Sequence, residues 1–158
     1  MLKIRRAVAE DSPQILKFIK ALAEFEKLSH EVVATEKTLK KTIFDQKKAE
    51  VYIAETVDKT PVGFALCFET YSTFLAKPGL YLEDLFITPD QRGNGYGTTL
   101  LKHLASIAKD RDFGRFEWSV LDWNQKAIDL YEKIGAKPQK EWTVYRLSGD
   151  ALDAFAKT

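Results

Sequence analysis

Apolar residues along this chain recur with two different periods, and the order of the segments they define predicts an α/β architecture. Leu2–Val8 alternates in part and reads as a first strand. Ile15, Phe18, Ile19, Leu22 and Phe25 then fall at helical spacing behind Asp11-Ser12-Pro13-Gln14, a capping residue, an early proline and a glutamine three positions after the aspartate. This helix is expected to end near Leu28-Ser29, and a second opens at Thr35–Leu39 with Leu39, Ile43 and Phe44 on its buried side. Val51–Ala54 and Val62–Tyr71 read as antiparallel strands joined by a turn at Val57–Pro61, with Ser72–Gly79 as a loop. Leu80–Ile87 is apolar and aromatic apart from Glu83-Asp84, and reads as a buried strand that breaks at Thr88-Pro89. A helix to about Asp110 follows, turning Leu100, Leu101, Leu104, Ile107 and Ala108 inward. Phe116–Val120 is the next strand, Gln125–Ile134 a short helix closed by Gly135, and Trp142–Leu147 a last strand before a terminal helix from Asp150. No internal repeat, low-complexity run or linker interrupts this order, so one domain over residues 1–158 is expected.

Composition narrows the class. With 158 residues, 45% hydrophobic and 30% charged, the chain suits one soluble globular domain with a substantial core. A net charge of +1 gives no electrostatic case for nucleic acid or a membrane as the main partner. Neither a long apolar span nor a leader pattern at Met1-Leu2-Lys3 is present, which leads to an expected cytoplasmic location. Cys67 lies inside a strand-like run and reads as a buried, reduced thiol. His30 and His103, with no cysteine cluster, make no metal site, and His103 is expected to be an exposed helical histidine.

The candidate chemistry sits where the buried strand gives way to the helix. Arg92-Gly93-Asn94-Gly95-Tyr96-Gly97 places three glycines in five positions, so the backbone can turn tightly with its N–H groups facing one point. The helix that follows adds unpaired amides and the positive end of its dipole, an arrangement that holds an anion, above all a phosphate. Gly97 is followed by Thr98-Thr99, so no Walker lysine reaches a γ-phosphate. The spacing also misses the third glycine of the dinucleotide fingerprint.

With its preceding acidic strand and Thr-Pro break, Arg-x-x-Gly-x-Gly resembles the pyrophosphate loop of the GNAT superfamily of acetyl-CoA-dependent N-acetyltransferases. The order β-α-α-β-β-β-α-β-α-β extends the resemblance over nearly the whole chain. It implies a single-domain fold with a central mixed, mostly antiparallel sheet flanked by helices. A second element, Trp123-Asn124 through Leu130-Tyr131-Glu132-Lys133-Ile134-Gly135-Ala136, matches the superfamily pattern in which an Asn opens a helix beside the coenzyme and a Tyr seven residues on points at its sulfur. Leu22–Glu26, Tyr81–Ile87 and Asp122-Trp123-Asn124 look like the polyamine (spermidine/spermine) and thialysine acetyltransferase branch. Phe25, where polyamine enzymes tend to have Tyr, and Lys140, where they tend to be acidic, lean towards a shorter or less charged acceptor than spermine.

An amine is protonated near pH 7 and cannot attack a thioester in that form, so the site must hold a cation, take a proton and stabilise developing charge. Glu83 and Asp84 are adjacent in a strand and point to opposite faces, so only one of them can face the acceptor directly. The resemblance favours Glu83 as proton acceptor, directly or through water; the spacing alone does not. Phe25, Glu26, Glu117, Trp118 and Ser119 complete the expected acceptor channel, together with Asp84, for which orienting the loop or strand is the alternative. For acetyl-CoA the resemblance implies the backbone of Leu85, Phe86 and Ile87, the loop Arg92, Gly93, Asn94, Gly95, Tyr96, Gly97 and Thr98, and Asn124, Gln125, Lys126, Ala127 and Tyr131. By residue type Tyr131 reads as a core tyrosine on an amphipathic helix; the resemblance makes it the general acid for the departing thiolate. The branch also implies a homodimer paired through C-terminal strands, with Trp142–Tyr145 as an apolar edge. The expected reaction is direct attack by a primary amine of a small diamine, polyamine or lysine-like substrate. Acetylation of a protein or peptide, and an acetyl-CoA-binding regulatory module without turnover, are the alternatives.

Overall fold

The computed structural model describes residues 1–157, in two compact units: Met1–Ser119, and a second that begins at Val120. In the first unit β1 (Leu2–Arg6), β2 (Glu50–Thr56), β3 (Pro61–Ser72), β4 (Lys77–Ile87) and β5 (Phe116–Trp118) form one sheet in the order of the chain. The first four strands are antiparallel neighbours, while β5 joins β4 in parallel through α3 (Tyr96–Asp110). The fold is thus α/β with a mixed, mostly antiparallel sheet, as the family resemblance implies.

Strand alternation divides the sheet's side chains between two helical layers. Ile53, Phe64 and Phe86 are adjacent in register and are buried with Ile15 and Phe18 of α1 (Ser12–Phe25). Phe18 stacks on Phe64 with ring centroids 5.3 Å apart. Truncating a buried Phe of this kind costs about 3–5 kcal/mol. Tyr52, one residue from Ile53, turns to the opposite face and meets His103 of α3 edge-on at 5.3 Å. His103 is therefore half-buried, not exposed as expected, and burial lowers its pKa. Cys67 is buried, and desolvation pushes its thiol up to about 12, which leaves it inert.

Two irregularities shape the region that matters most. The β3–β4 ladder pairs Leu66 with Asp84 but Cys67 with Leu82, so Glu83 is an extra residue on a β-bulge. Helix α1 ends at Phe25, earlier than its apolar spacing suggests, because Lys27 takes φ 60° and the Leu28 amide donates back to the Ala23 carbonyl at 2.8 Å. The second helix, α2 (Glu36–Leu39), keeps α geometry for one turn and runs on as a π-helical turn over Lys40–Asp45.

The second unit contains α4 (Gln125–Lys133) and α5 (Gly149–Ala156). The expected strand at Trp142–Leu147 does not form, and that segment has no regular structure. Its apolar alternation is real, but among the described residues the unit holds no other strand to complete a ladder, and a lone extended segment cannot pair its own backbone groups. Similarly, β5 ends at Trp118 and does not reach Val120.

Candidate active site

Beyond Ile87 the chain makes a single tight turn at Pro89–Gln91 and then bends into α3. Gly93 and Gly95 have φ of 85° and 77°, the left-handed region that side-chain-bearing residues rarely adopt. A Cβ on either would meet nothing within 4 Å, so these glycines are required by conformation and not by crowding. Gly95 precedes the first turn of α3 and offers no side-chain cap. The amides of Tyr96, Gly97 and Thr98 consequently have no acceptor within the helix, while Thr99 already donates to Gly95 at 3.0 Å. The Asn94 side chain turns away, donating through Nδ2 to the Gln91 carbonyl at 3.0 Å. Uncapped amides at the positive end of a fifteen-residue helix, beside a bend in which Gly93 and Gly95 carry no side chains, fit a pyrophosphate group.

Leu85, Phe86 and Ile87 pair with Ala65, Phe64 and Gly63 of β3 on one edge only. β5 pairs with β4 at Leu80, Tyr81 and Leu82 and no further, so the far edge of β4 from Leu85 to Ile87 has no strand partner among the described residues. That open edge is where an extended arm could add its own hydrogen bonds. At its end, Arg92 Nε donates to the Ile87 carbonyl at 2.9 Å. The guanidinium carbon of Arg92 lies 4.7 Å from the Phe25 ring centroid and 5.2 Å from that of Phe86.

A cavity of about 360 Å³ opens beside the C-terminal end of α1. Ile19, Leu22 and Ala23 line it from the helix, Leu28 and Val32–Ala34 from the segment that follows, and Glu26, Glu31 and Asp84 bring carboxylates to it. Burial, then Glu83 and Glu26, push the Asp84 carboxyl up to about 6, and burial raises Glu26 as well. A carboxylate with a pKa near the working pH can accept a proton and return it, and both groups would be eased by an arriving ammonium.

The structure brings together Glu26 and Asp84 at the cavity, but it does not bring the other expected acceptor residues there. Glu83 is exposed on the bulge. Phe25 packs under Arg92. Glu117 pairs with Arg115 at 3.0 Å, Trp118 tilts against Phe116, and Ser119 Oγ shares a 2.6 Å hydrogen bond with the Tyr81 hydroxyl. Glu31 and the wall Val32–Ala34 escaped the sequence reading; a short apolar run stranded between two helices was the available signal.

In the second unit Asn124 caps α4, its Oδ1 accepting from the Ala127 amide at 3.3 Å. Gln125 Nε2 donates to Asp129 at 2.7 Å, and Lys126 is exposed. Tyr131 is half-buried, and burial raises its hydroxyl pKa above the ordinary value. The phenol is thus protonated at neutral pH, the state from which a proton can be donated, while the same burial makes it a weaker acid than a free tyrosine.

A five-stranded mixed sheet whose β4–α3 bend leaves main-chain donors uncapped belongs to a class of α/β proteins able to hold a phosphate-bearing ligand at that bend, and comparison with known proteins makes the class specific. A sequence profile described as the acetyltransferase (GNAT) family matches residues 19–136, and the chain belongs to that family. It is an N-acetyltransferase. An L-ornithine N5-acetyltransferase of Arabidopsis thaliana is 35% identical over 98% of this chain and 88% of its own length. A thialysine N-epsilon-acetyltransferase of Mus musculus is 36% identical over 98% and 96%. Among solved structures, an integron cassette protein from V. cholerae superposes with a TM-score of 0.82 at 28% identity, covering 99% of this chain and 98% of that one.

Proposed function

We propose that this enzyme transfers the acetyl group of acetyl-CoA to the terminal primary amine of a small lysine-, ornithine- or diamine-like molecule, by direct attack in a ternary complex. The observation that carries this reading is the cavity in which Asp84 and Glu26 stand against apolar walls, a site for a short aliphatic chain ending in an ammonium. The names of the ornithine and thialysine relatives support the same substrate class. Acetyl-CoA, when bound, supplies the acetyl group as an activated thioester. In this reading Gly93 to Thr98 hold its pyrophosphate through main-chain amides, and the open edge of Leu85–Ile87 holds its arm.

Asp84 receives the ammonium and draws off its proton, with Glu83 on the bulge as a route for that proton to solvent. Glu26 holds a second positive charge at the far end of the acceptor and so fixes the reacting nitrogen. Orientation of this kind can supply several kcal/mol of the barrier. Tyr131 returns a proton to the thiolate, a role taken from the Asn124–Ala136 pattern. We expect a cytoplasmic homodimer: Trp142, Val144 and Tyr145 are 80%, 86% and 92% exposed, an apolar segment that a second copy would cover. Light scattering should then give twice the 18.0 kDa chain mass. No helix among the described residues is long and apolar enough to cross a membrane.

The test is acetyl-CoA turnover against ornithine, thialysine, lysine, diamines, polyamines and peptides. Terminal acetylation of the small amines supports the reading. Acetylation of peptides alone supports a protein acceptor, and tight acetyl-CoA binding without any turnover supports a regulatory module.

A further inference from the structure

The Arg92 side chain leaves the anion-binding bend that its own backbone helps to form. Its Nε is committed to the Ile87 carbonyl at 2.9 Å, and its guanidinium lies over Phe25 at 4.7 Å and beside Phe86 at 5.2 Å. Among the described residues it makes no ion pair with a carboxylate. Phe25 is the last residue of α1 and Glu26 caps that helix, so the ring under Arg92 adjoins a carboxylate of the cavity. Phe86 is buried in the core, whereas Phe25 is 42% exposed and lies two residues before the left-handed Lys27. Arg92 therefore connects the C-terminal end of α1 to the end of β4. A planar guanidinium suits this better than an ammonium, because it can stack on a ring and donate in its own plane at once.

Building on the acceptor reading above, we propose that the Arg92 side chain is a positioning residue for the amine, latching the Phe25–Glu26 end of α1 onto the end of β4. It does not serve chiefly as a phosphate ligand. Its influence on the reaction passes through Phe25 to Glu26, while coenzyme binding rests on the neighbouring main-chain amides.

Arg92→Met keeps an apolar stem and removes both the stacking cation and the Nε donor; Phe25→Leu removes the ring. In each, KM for a small diamine should rise about 3- to 30-fold, the span expected for a lost cation–π contact. The Kd of CoA, measured calorimetrically, should change less than about threefold in each, because neighbouring main-chain amides hold the coenzyme. Combining the two should cost no more than the worse single variant, since both break one contact. Arg92→Lys should recover only part of the loss. Amide exchange over residues 22–34 should quicken in Arg92→Met while α3 stays protected, a readout that needs no turnover. Thermal unfolding of each variant confirms that it is folded, and Arg92→Lys carries the test where Arg92→Met is not. A tenfold or greater loss of CoA affinity with unchanged KM for the amine would make Arg92 a phosphate ligand and overturn the latch. Additive losses, or unchanged exchange at the end of α1, would overturn it too. If the wild-type enzyme acetylates no small amine, the acceptor reading fails, and exchange still decides whether Arg92 holds Phe25.

Discussion

The bend between β4 and α3 presents its chemistry through main-chain amides, with Gly93 and Gly95 bare of side chains and Asn94 turned back on Gln91. The cavity beside α1 presents its chemistry through carboxylates, Glu26 and Asp84, held partly out of water against Ile19, Leu22 and Val32. The first region depends on backbone conformation and is indifferent to most side chains. The second depends on side-chain identity and on where a strand bulges. A region of the first kind suits a ligand common to a whole family, and one of the second kind is where acceptor choice can diverge.

Side-chain chemistry should be the steeper of the two to disturb. Asp84→Asn, nearly isosteric, is expected to lower kcat/KM for the amine by about 10²–10⁴-fold while the Kd of CoA is unchanged. Tyr131→Phe should lower kcat by a similar factor with little change in KM for acetyl-CoA. Full activity in either variant, in steady-state assays, would return that residue to a structural role.

At the bend, Gly95→Val forces a branched side chain into φ 77°, a strain of about 1–3 kcal/mol, and displaces the amides around it. CoA affinity by calorimetry should fall about tenfold or more with circular dichroism unchanged. Unaltered affinity in a folded variant would remove the bend as the coenzyme's anchor.

Glu26→Gln sharpens the contrast within the cavity. It should reduce turnover of a diamine by about 10- to 100-fold more than that of a monoamine of equal length, the equivalent of a charge-assisted contact of about 1.5–3 kcal/mol. Equal losses would mean that Glu26 does not read the second charge.

The smallest expected effect is on stability. Burial lifts Asp84 from an ordinary 3.8 to about 6, so the native state binds its proton more tightly than the unfolded chain does. The stabilising contribution is complete below about pH 4 and is lost as pH rises through about 6. Asp84→Asn should therefore be about 1–3 kcal/mol more stable than wild type at pH 8 in urea unfolding, with the gap closing near pH 4. A gap independent of pH would show that Asp84 ionises normally.

The same contrast explains what could be read from the sequence. The bend was legible because its requirement is written in residue types: glycines at alternate positions, then a helix. The strand and helix order was legible from periodicity, and buried Cys67 followed from its neighbours. Asp84 and Glu83 were not distinguishable, because which carboxylate faces the cavity depends on the Leu66–Cys67 register shift across two strands. The early end of α1 was hidden because Lys27, and not a glycine, takes the left-handed conformation. Trp142–Leu147 shows the opposite error: its alternation promised a strand, but pairing is a property of two segments and its own unit supplies only one.

The most direct measurement is mass-spectrometric detection of the product when enzyme and acetyl-CoA are incubated with ornithine, thialysine or a short diamine. A single acetyl group on the terminal amine is expected, with CoA released in equal amount and with formation strongly reduced in Asp84→Asn. No acetylated small amine from the wild-type enzyme, under conditions where it binds acetyl-CoA, would contradict the proposed function.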